Sequence, residues 1–161
     1  MLYEIVYWSR RTQTLTDGDI VSGIVFPARR RNRDCDVTGC LWFDESRFVQ
    51  VLEGRREDVE LIFGAIRRDV RHRDVHVIAQ GPIERRAFSK WNMTWLQHDG
   101  APVIDELITR YSKPIAAEER AGSQHAATSD RASAESGHRW LLEKMKQIFL
   151  GGLRQRPEDA M

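Results

Sequence analysis

The chain has 161 residues, of which 41% are hydrophobic and 30% charged, so it suits one folded domain with an appendage and not a disordered or fibrous chain. Its formal net charge of +1 excludes a global electrostatic attraction to nucleic acid or to an anionic membrane. The N-terminus has no signal-peptide pattern and no apolar run reaches the roughly 18 residues of a membrane span, so we expect a cytoplasmic protein.

Hydrophobic periodicity predicts five strands and two helices. Thr16 is the expected N-cap of the first helix, because Asp17 and Asp19 follow in its first turn. Pro27 predicts a kink or an early end of this helix, since proline lacks an amide donor and clashes with the carbonyl four residues before it. In chain order, the pattern predicts a strand over 3–8, this first helix, strands over 35–43 and 47–53 joined as a hairpin, a second helix from 56, and strands over 75–78 and 91–96.

This order of elements fits an α+β, ferredoxin-like βαββαββ fold, with a mainly antiparallel sheet and both helices on one face. We expect that domain over 1–97 and a C-terminal extension over 98–161. Within the extension, the pattern predicts a short helix, a flexible linker at 113–137 and an amphipathic helix at 138–150. The last helix needs a surface to pack on, either the open face of the sheet or a partner chain.

Two polar side chains on the predicted strands need partners if they are buried. Gln50 shares one face of the third strand with Phe48 and Leu52. If that face meets the helices, an unpaired amide there costs roughly 1 to 3 kcal/mol. A backbone partner, a location at the sheet edge or a buried polar ligand would each satisfy Gln50. Tyr7 on the first strand raises the same question for its hydroxyl.

Charged and sulfur-containing residues have ordinary explanations from sequence alone. The run Arg29–Arg33 follows the predicted first helix and would compensate its dipole, with phosphate or nucleic-acid contact as alternatives. Asp69–Asp74 is expected to be a surface turn, and His72 within it has no nucleophile that the sequence places beside it. Cys35 and Cys40 have no second Cys/His pair at zinc-site spacing, so no metal site is expected.

Several linked segments together carry a more specific signal than any single motif. They are Ile5–Arg10, Asn32, Val37–Gly39, Phe48–Gly54, Asp69–His72, Phe88 and Trp91–Met93. In this order and spacing they resemble the BLUF family of flavin-binding blue-light sensors, over approximately residues 2–96. The resemblance implies a flavin, FAD with FMN or riboflavin as possible substitutes, bound non-covalently between the two helices.

The resemblance also implies a role for each matching residue. Tyr7 and Gln50 match the photoactive pair: light excites the oxidised flavin, Tyr7 transiently supplies an electron and a proton, and Gln50 ends in a changed hydrogen-bonding arrangement. Trp91 and Met93 match the switch residues on the fifth strand. The flavin-binding set comprises Arg31, Asn32, Gln50, Asp69, Arg71 and His72, of which the last three close the far side of the pocket.

Similarity to the short members of the family implies a sensor that is not an enzyme. The length leaves no room for a cyclase or phosphodiesterase domain, so we expect the signal to pass by contact to a separate signalling protein or enzyme. We also expect a homo-oligomer, with no nucleic-acid or membrane partner. The alternatives are a small phosphatase-like enzyme using Arg10 or the arginine run, and an RNA-binding sheet with exposed aromatic residues. Neither explains the combination of Tyr7, Asn32, Gln50 and Met93.

Overall fold

The structure, a computed structural model, describes residues 1–12 and 15–97, together with positions 143 and 147. In chain order its elements are β1 (Leu2–Arg11), α1 (Asp17–Ile20), a π-helical segment (Val21–Val25), α2 (Phe26–Asp34), β2 (Thr38–Phe43), β3 (Arg47–Arg55), α3 (Arg56–Arg67), β4 (His72–Ile83) and β5 (Thr94–Gln97). The strands form one sheet in the order β4-β1-β3-β2-β5. In this sheet β2 and β5 run parallel and the other neighbours are antiparallel. The predicted fold class and order of elements are confirmed.

The chain divides into a compact unit of Met1–Gly100 and a second unit of Ala101–Met161. The elements above all belong to the first unit. The short helix, the linker and the amphipathic helix predicted for the C-terminal extension lie outside the described residues. Within the described part, no helix is long and apolar enough to cross a membrane.

The first helix begins where the sequence predicts. The Thr16 hydroxyl accepts a hydrogen bond from the backbone amide of Asp19 at 3.2 Å, and the Asp19 carboxylate accepts one from the Thr16 amide at 2.9 Å. Such a reciprocal cap satisfies two amide donors that a helix start leaves unpaired. Beyond it, α1, the π-helical segment and α2 follow one another directly, and we call these three together the first helix.

Of the two outcomes predicted at Pro27, a kink or an early end of the first helix, the early end is wrong. Pro27 lies at the start of α2, directly after the π-helical segment, and the helix continues to Asp34. The carbonyl four residues before Pro27 belongs to Gly23, and it accepts a hydrogen bond from Arg71 Nη1 at 2.7 Å. A side chain therefore supplies the donor that proline lacks. The run Arg29–Arg33 accordingly lies within α2 and not after the helix.

All five strands differ from their predicted bounds, and the differences in β2, β4 and β5 change where predicted residues lie. β2 begins at Thr38 because the chain turns before it, with Asp36 at a φ of 50°. β4 is 12 residues long because it pairs along most of β1, so His72 is a buried strand residue and not part of a surface turn. β5 begins at Thr94, so the segment Trp91–Met93 precedes this strand instead of forming its first half.

The core lies between the helices and one face of the sheet. Gln50 belongs to the helix-facing row of β3, since its neighbours in that row, Phe48 and Leu52, pack in the core with Phe63 of α3. Burial of a large apolar side chain stabilises the fold by about 1.5 to 3 kcal/mol. The buried members of this core are Ile5, Tyr7, Ile20, Val25, Val37, Leu41, Phe43, Phe48, Leu52, Val59, Ile62, Phe63 and Met93.

Candidate functional site

Tyr7 and Gln50 form a buried pair across two neighbouring strands. They are register partners in β1 and β3, and the Tyr7 hydroxyl donates a hydrogen bond to Gln50 Oε1. The Tyr7 ring also contacts Phe63 of α3, with 5.2 Å between ring centroids. Burial, and secondarily the negative charge of Asp69, raises the pKa of Tyr7 well above its ordinary value. The hydroxyl therefore keeps its proton at neutral pH and acts as a donor.

Gln50 uses both ends of its amide. Its Oε1 accepts from Tyr7, and its Nε2 lies 3.5 Å from the sulfur of Met93. Among the described residues, the amide is therefore satisfied by two core side chains, Tyr7 and Met93. A thioether is a weak acceptor, so the Nε2 end retains the capacity to bond a stronger one.

The segment Trp91–Met93 is fixed through its backbone. Its three successive carbonyls accept hydrogen bonds from Gly39 N at 3.0 Å, from Asn32 Nδ2 at 2.7 Å and from Arg29 Nε at 2.7 Å, in that order. Irregular backbone needs such partners, since no strand ladder satisfies its carbonyl groups. The structure thus brings Met93 to Gln50 and Asn32 to the neighbouring residue, although the sequence suggests no contact between Asn32 and this segment.

Asp69, Arg71 and His72 lie together where α3 passes into β4. Arg71 Nε donates to Asp69 Oδ1 at 2.8 Å, while Arg71 Nη1 reaches across to the first helix at Gly23. Hydrogen bonds from Arg71 hold the pKa of Asp69 below its usual range. His72 Nδ1 lies 2.8 Å from Ser9 Oγ, a partner that the sequence analysis did not single out.

Burial lowers the pKa of His72 to about 4. We therefore expect the protein to lose stability on acidification at pH values above those at which its carboxylates titrate. The unfolded chain binds a proton at this histidine near pH 6.5, but the folded chain does so only near pH 4. Because the folded state binds fewer protons, its stability falls as the pH drops from about 6.5 towards 4, by about 3 kcal/mol. Urea unfolding at a series of pH values measures this loss.

Two variants separate His72 from other titrating groups. His72→Gln cannot bind the proton, so its free energy of unfolding should change less between pH 6.5 and 4. His76→Gln alters an exposed histidine on the same strand and should keep the wild-type decline. An equal decline in wild type and His72→Gln would show that another group causes it.

Arg31 differs from the other residues of the predicted flavin-binding set. It lies on α2 next to Asn32, but its side chain is exposed, whereas that of Asn32 is buried. The structure therefore places Asn32 with the site and leaves Arg31 at its surface. In the described part of the chain, no group of three or more His, Cys, Asp or Glu side chains could hold a metal ion.

Glu53 is fully buried on β3, although the sequence pattern predicts no role for it. Its carboxylate accepts hydrogen bonds from the amides of Ala87 at 2.7 Å and Phe88 at 2.9 Å, and so anchors the chain that leads to Trp91. Burial raises the pKa of Glu53, an effect that the two amide donors oppose. The available signal was a carboxylate within an otherwise apolar strand, directly opposite Glu4 in β1.

The residues around the Tyr7–Gln50 pair fit a flavin. Ile24 and Ala28 of the first helix and Ile66 of α3 are partly buried apolar side chains packed on the core that contains Tyr7. The amides of Asn32 and Gln50 supply both donors and acceptors. A planar ring with apolar faces and a polar edge needs this combination of an apolar lining with a few placed amides.

Comparison with known proteins gives the same result. The sequence matches the BLUF family, described as sensors of blue-light using FAD, over residues 2–94. The photoactivated adenylate cyclase subunit beta of Euglena longa is 35% identical over 116 residues, which cover 70% of this chain and 13% of that protein. Among solved structures, the dark-state structure of BlrB, a BLUF protein, is 32% identical with a TM-score of 0.57, covering 60% of this chain and 72% of BlrB. The structure of Klebsiella pneumoniae BlrP1 with FMN and cyclic diGMP is 30% identical with a TM-score of 0.56, covering 71% of this chain and 31% of BlrP1.

The family match lies within the first unit of the chain. The chain spans about an eighth of the cyclase subunit, so what that whole protein does is not transferred to it. The family match covers more than half of the 161 residues and includes the elements that carry Tyr7, Asn32, Gln50 and Met93. It supports the light-sensor interpretation over the phosphatase-like and RNA-binding alternatives. The chain belongs to the BLUF family of sensors of blue light using FAD.

Proposed function

We propose that this chain is a blue-light receptor that binds a flavin between the first helix and α3, and that signals through a hydrogen-bond rearrangement of Tyr7 and Gln50. The observation that carries the proposal is the buried contact series from Tyr7 through Gln50 to Met93. It connects β1 and β3 to the segment before β5. FAD is the flavin that the family description favours, while FMN, named with BlrP1, and riboflavin are substitutes.

Each protein group in the series has a distinct part. A bound flavin supplies the absorption of blue light and, once excited, can accept an electron and a proton. Tyr7 holds the transferable proton, because its pKa is raised, and directs it to Gln50 Oε1. If the Gln50 amide rotates, or tautomerises so that its nitrogen lone pair points to Met93, an acceptor faces the Met93 sulfur, which cannot donate. The contact with Met93 is then lost, and the segment Trp91–Met93 is biased to move.

The remaining predicted site residues are assigned to binding and to the switch. Asn32 orients the flavin from the first helix, with Arg31 beside it at the surface. Asp69, Arg71 and His72 close the far side of the pocket, which agrees with the hydrogen bond from Arg71, in the turn after α3, to Gly23 of the first helix. Trp91, partly buried before β5, exchanges position with Met93 when the amide changes.

Output is proposed to occur by protein contact. The described unit would sense light without catalysing a reaction, and a separate signalling protein or enzyme in the cytoplasm would respond. Relatives named photoactivated adenylate cyclases support this division, since a sensor of this family occurs there in a protein named for another activity. We propose 1–97 as the sensor domain and 98–161 as an extension through which copies of the chain or a partner associate.

An absorption spectrum of protein purified in darkness tests the proposal, when it is repeated directly after blue light and during recovery. We expect a flavin spectrum that shifts slightly to the red and returns in the dark. Colourless protein that also fails to take up added FAD or FMN would contradict flavin binding. A flavin spectrum that light leaves unchanged would contradict the photoreceptor while leaving the binding site in place.

A further inference from the structure

Arg29 occupies a position that the proposed mechanism does not use. It lies on α2 one turn before Asn32, so the two side chains share a face of the helix. Their donors reach two consecutive carbonyls, those of Met93 and Asn92 respectively, each at 2.7 Å. Arg29 is thus bonded to the residue whose sulfur contacts Gln50.

A second contact orients the Arg29 side chain. The guanidinium carbon lies 4.9 Å from the centroid of the Trp95 ring on β5, and 5.9 Å from that of Phe26 on its own helix. Cation–π contacts of this length are favourable, and Trp is the strongest aromatic partner. Arg29 is partly buried, so its bonds are less screened by solvent than those of a fully exposed arginine. Arg29 therefore joins the first helix to Met93, directly before β5, and to Trp95 within β5.

We propose that Arg29 is a positioning residue that holds Met93 against Gln50 in darkness and thereby sets the rate of dark recovery. This inference rests on the proposed function. The contacts of Arg29 belong to the arrangement in which Gln50 Nε2 faces the Met93 sulfur. Recovery must restore this arrangement, and the Arg29 bonds favour it. Without Arg29, the return of Met93 loses part of its driving force.

Arg29→Ala tests the proposal, with Arg30→Ala as the matched control at the next, exposed position of α2. We expect both variants to bind flavin and to form the red-shifted state. Recovery in Arg29→Ala should be at least about threefold slower than in wild type, because a charged hydrogen bond and a cation–π contact are lost. Recovery in Arg30→Ala should stay at the wild-type rate. A purely structural role would lower the melting temperature of Arg29→Ala and leave the recovery rate unchanged, which would overturn the proposal.

A second measurement does not need photochemistry. The chain has four methionines, and Met93→Leu identifies the methyl resonance of Met93 in NMR spectra of the labelled full chain kept in darkness. That resonance should shift in Arg29→Ala and not in Arg30→Ala. An unshifted resonance overturns the positioning role even if the photocycle exists. Absence of any red shift in wild type would instead sink the proposed function, and the Met93 resonance would still decide whether Arg29 positions this residue.

Arg29→Lys provides a further variant in case Arg29→Ala is too unstable to study. Lysine keeps the charge and much of the aliphatic stem but has no Nε–H to direct at the Met93 carbonyl. We expect slower recovery than in wild type here too. Recovery at the wild-type rate would overturn the part assigned to the Nε hydrogen bond.

Discussion

Gln50→Leu is expected to retain the flavin and to lose the light-induced red shift. Leucine fills a similar volume in the core, but it can neither accept from the Tyr7 hydroxyl nor donate towards Met93. Leaving the buried hydroxyl unpaired costs about 1 to 3 kcal/mol, so the melting temperature should also fall. Absorption spectra before and after blue light measure the shift, and we expect none in this variant.

A control variant and a companion variant show whether the loss of the red shift is specific to the Tyr7–Gln50 pair. Gln80→Leu makes the same substitution at an exposed position of β4 and should leave the red shift intact. Tyr7→Phe keeps Gln50 but removes the hydroxyl, and it should also bind flavin without a photocycle. A normal shift in Gln50→Leu would remove the glutamine from the mechanism, and full photoactivity in Tyr7→Phe would reject the tyrosine as donor.

Gly39→Ala is expected to have the largest effect on stability. A Cβ at Gly39 would lie 2.0 Å from the backbone carbonyl oxygen of Val51 on β3, the strand that pairs with β2. Backbone cannot move aside as a flexible side chain can, so β2 and β3 would have to separate. Gly39 also donates to the Trp91 carbonyl, so the segment before β5 would be disturbed as well. We expect a loss of at least about 3 kcal/mol, or a fall of about 10 °C in melting temperature.

Gly81→Ala is the matched control for this prediction. Gly81 also lies in a strand, β4, but a Cβ there would meet no atom within 4 Å. The melting temperature of Gly81→Ala should remain within a few degrees of that of the wild type. Thermal unfolding followed by circular dichroism compares the two variants. Equal melting temperatures in both would mean that β2 and β3 can accommodate the added methyl group.

The sequence predicts elements well where apolar periodicity and tertiary structure agree, and less well elsewhere. The first helix, the hairpin and α3 occur where the pattern indicates, because each has an apolar face towards the core. The sequence predicts only a third of β4, because His72–Asp74 at its start are polar and because Gly81 and Pro82 near its end are residue types that strands disfavour. The parallel pairing of β2 with β5 likewise forms through backbone hydrogen bonds, so the side-chain pattern does not indicate it.

In the candidate site too, periodicity indicates which residues share a face but not which side chains bond to one another. Alternation places Gln50 in one of two rows and Tyr7 on a neighbouring strand, and the resemblance identifies them as a pair. Periodicity could not show that their side chains bond to each other, because residues 43 positions apart meet only after the sheet has formed. The roles of Arg29 and Glu53 stayed hidden for a related reason. Each bonds to backbone groups of a distant segment, and backbone groups are the same in every residue type.

The π-helical segment Val21–Val25 determines the rotational phase of the helix that follows it. A π turn contains about one residue more than an α turn, and one residue corresponds to about 100° of rotation about the helix axis. A chain one residue shorter at this point could still form a helix to its present end. Its Arg29 and Asn32, however, would face about 100° away from the two carbonyls that they bind. A single-residue insertion in the first half of the helix thus sets which side chains its second half presents to the sheet.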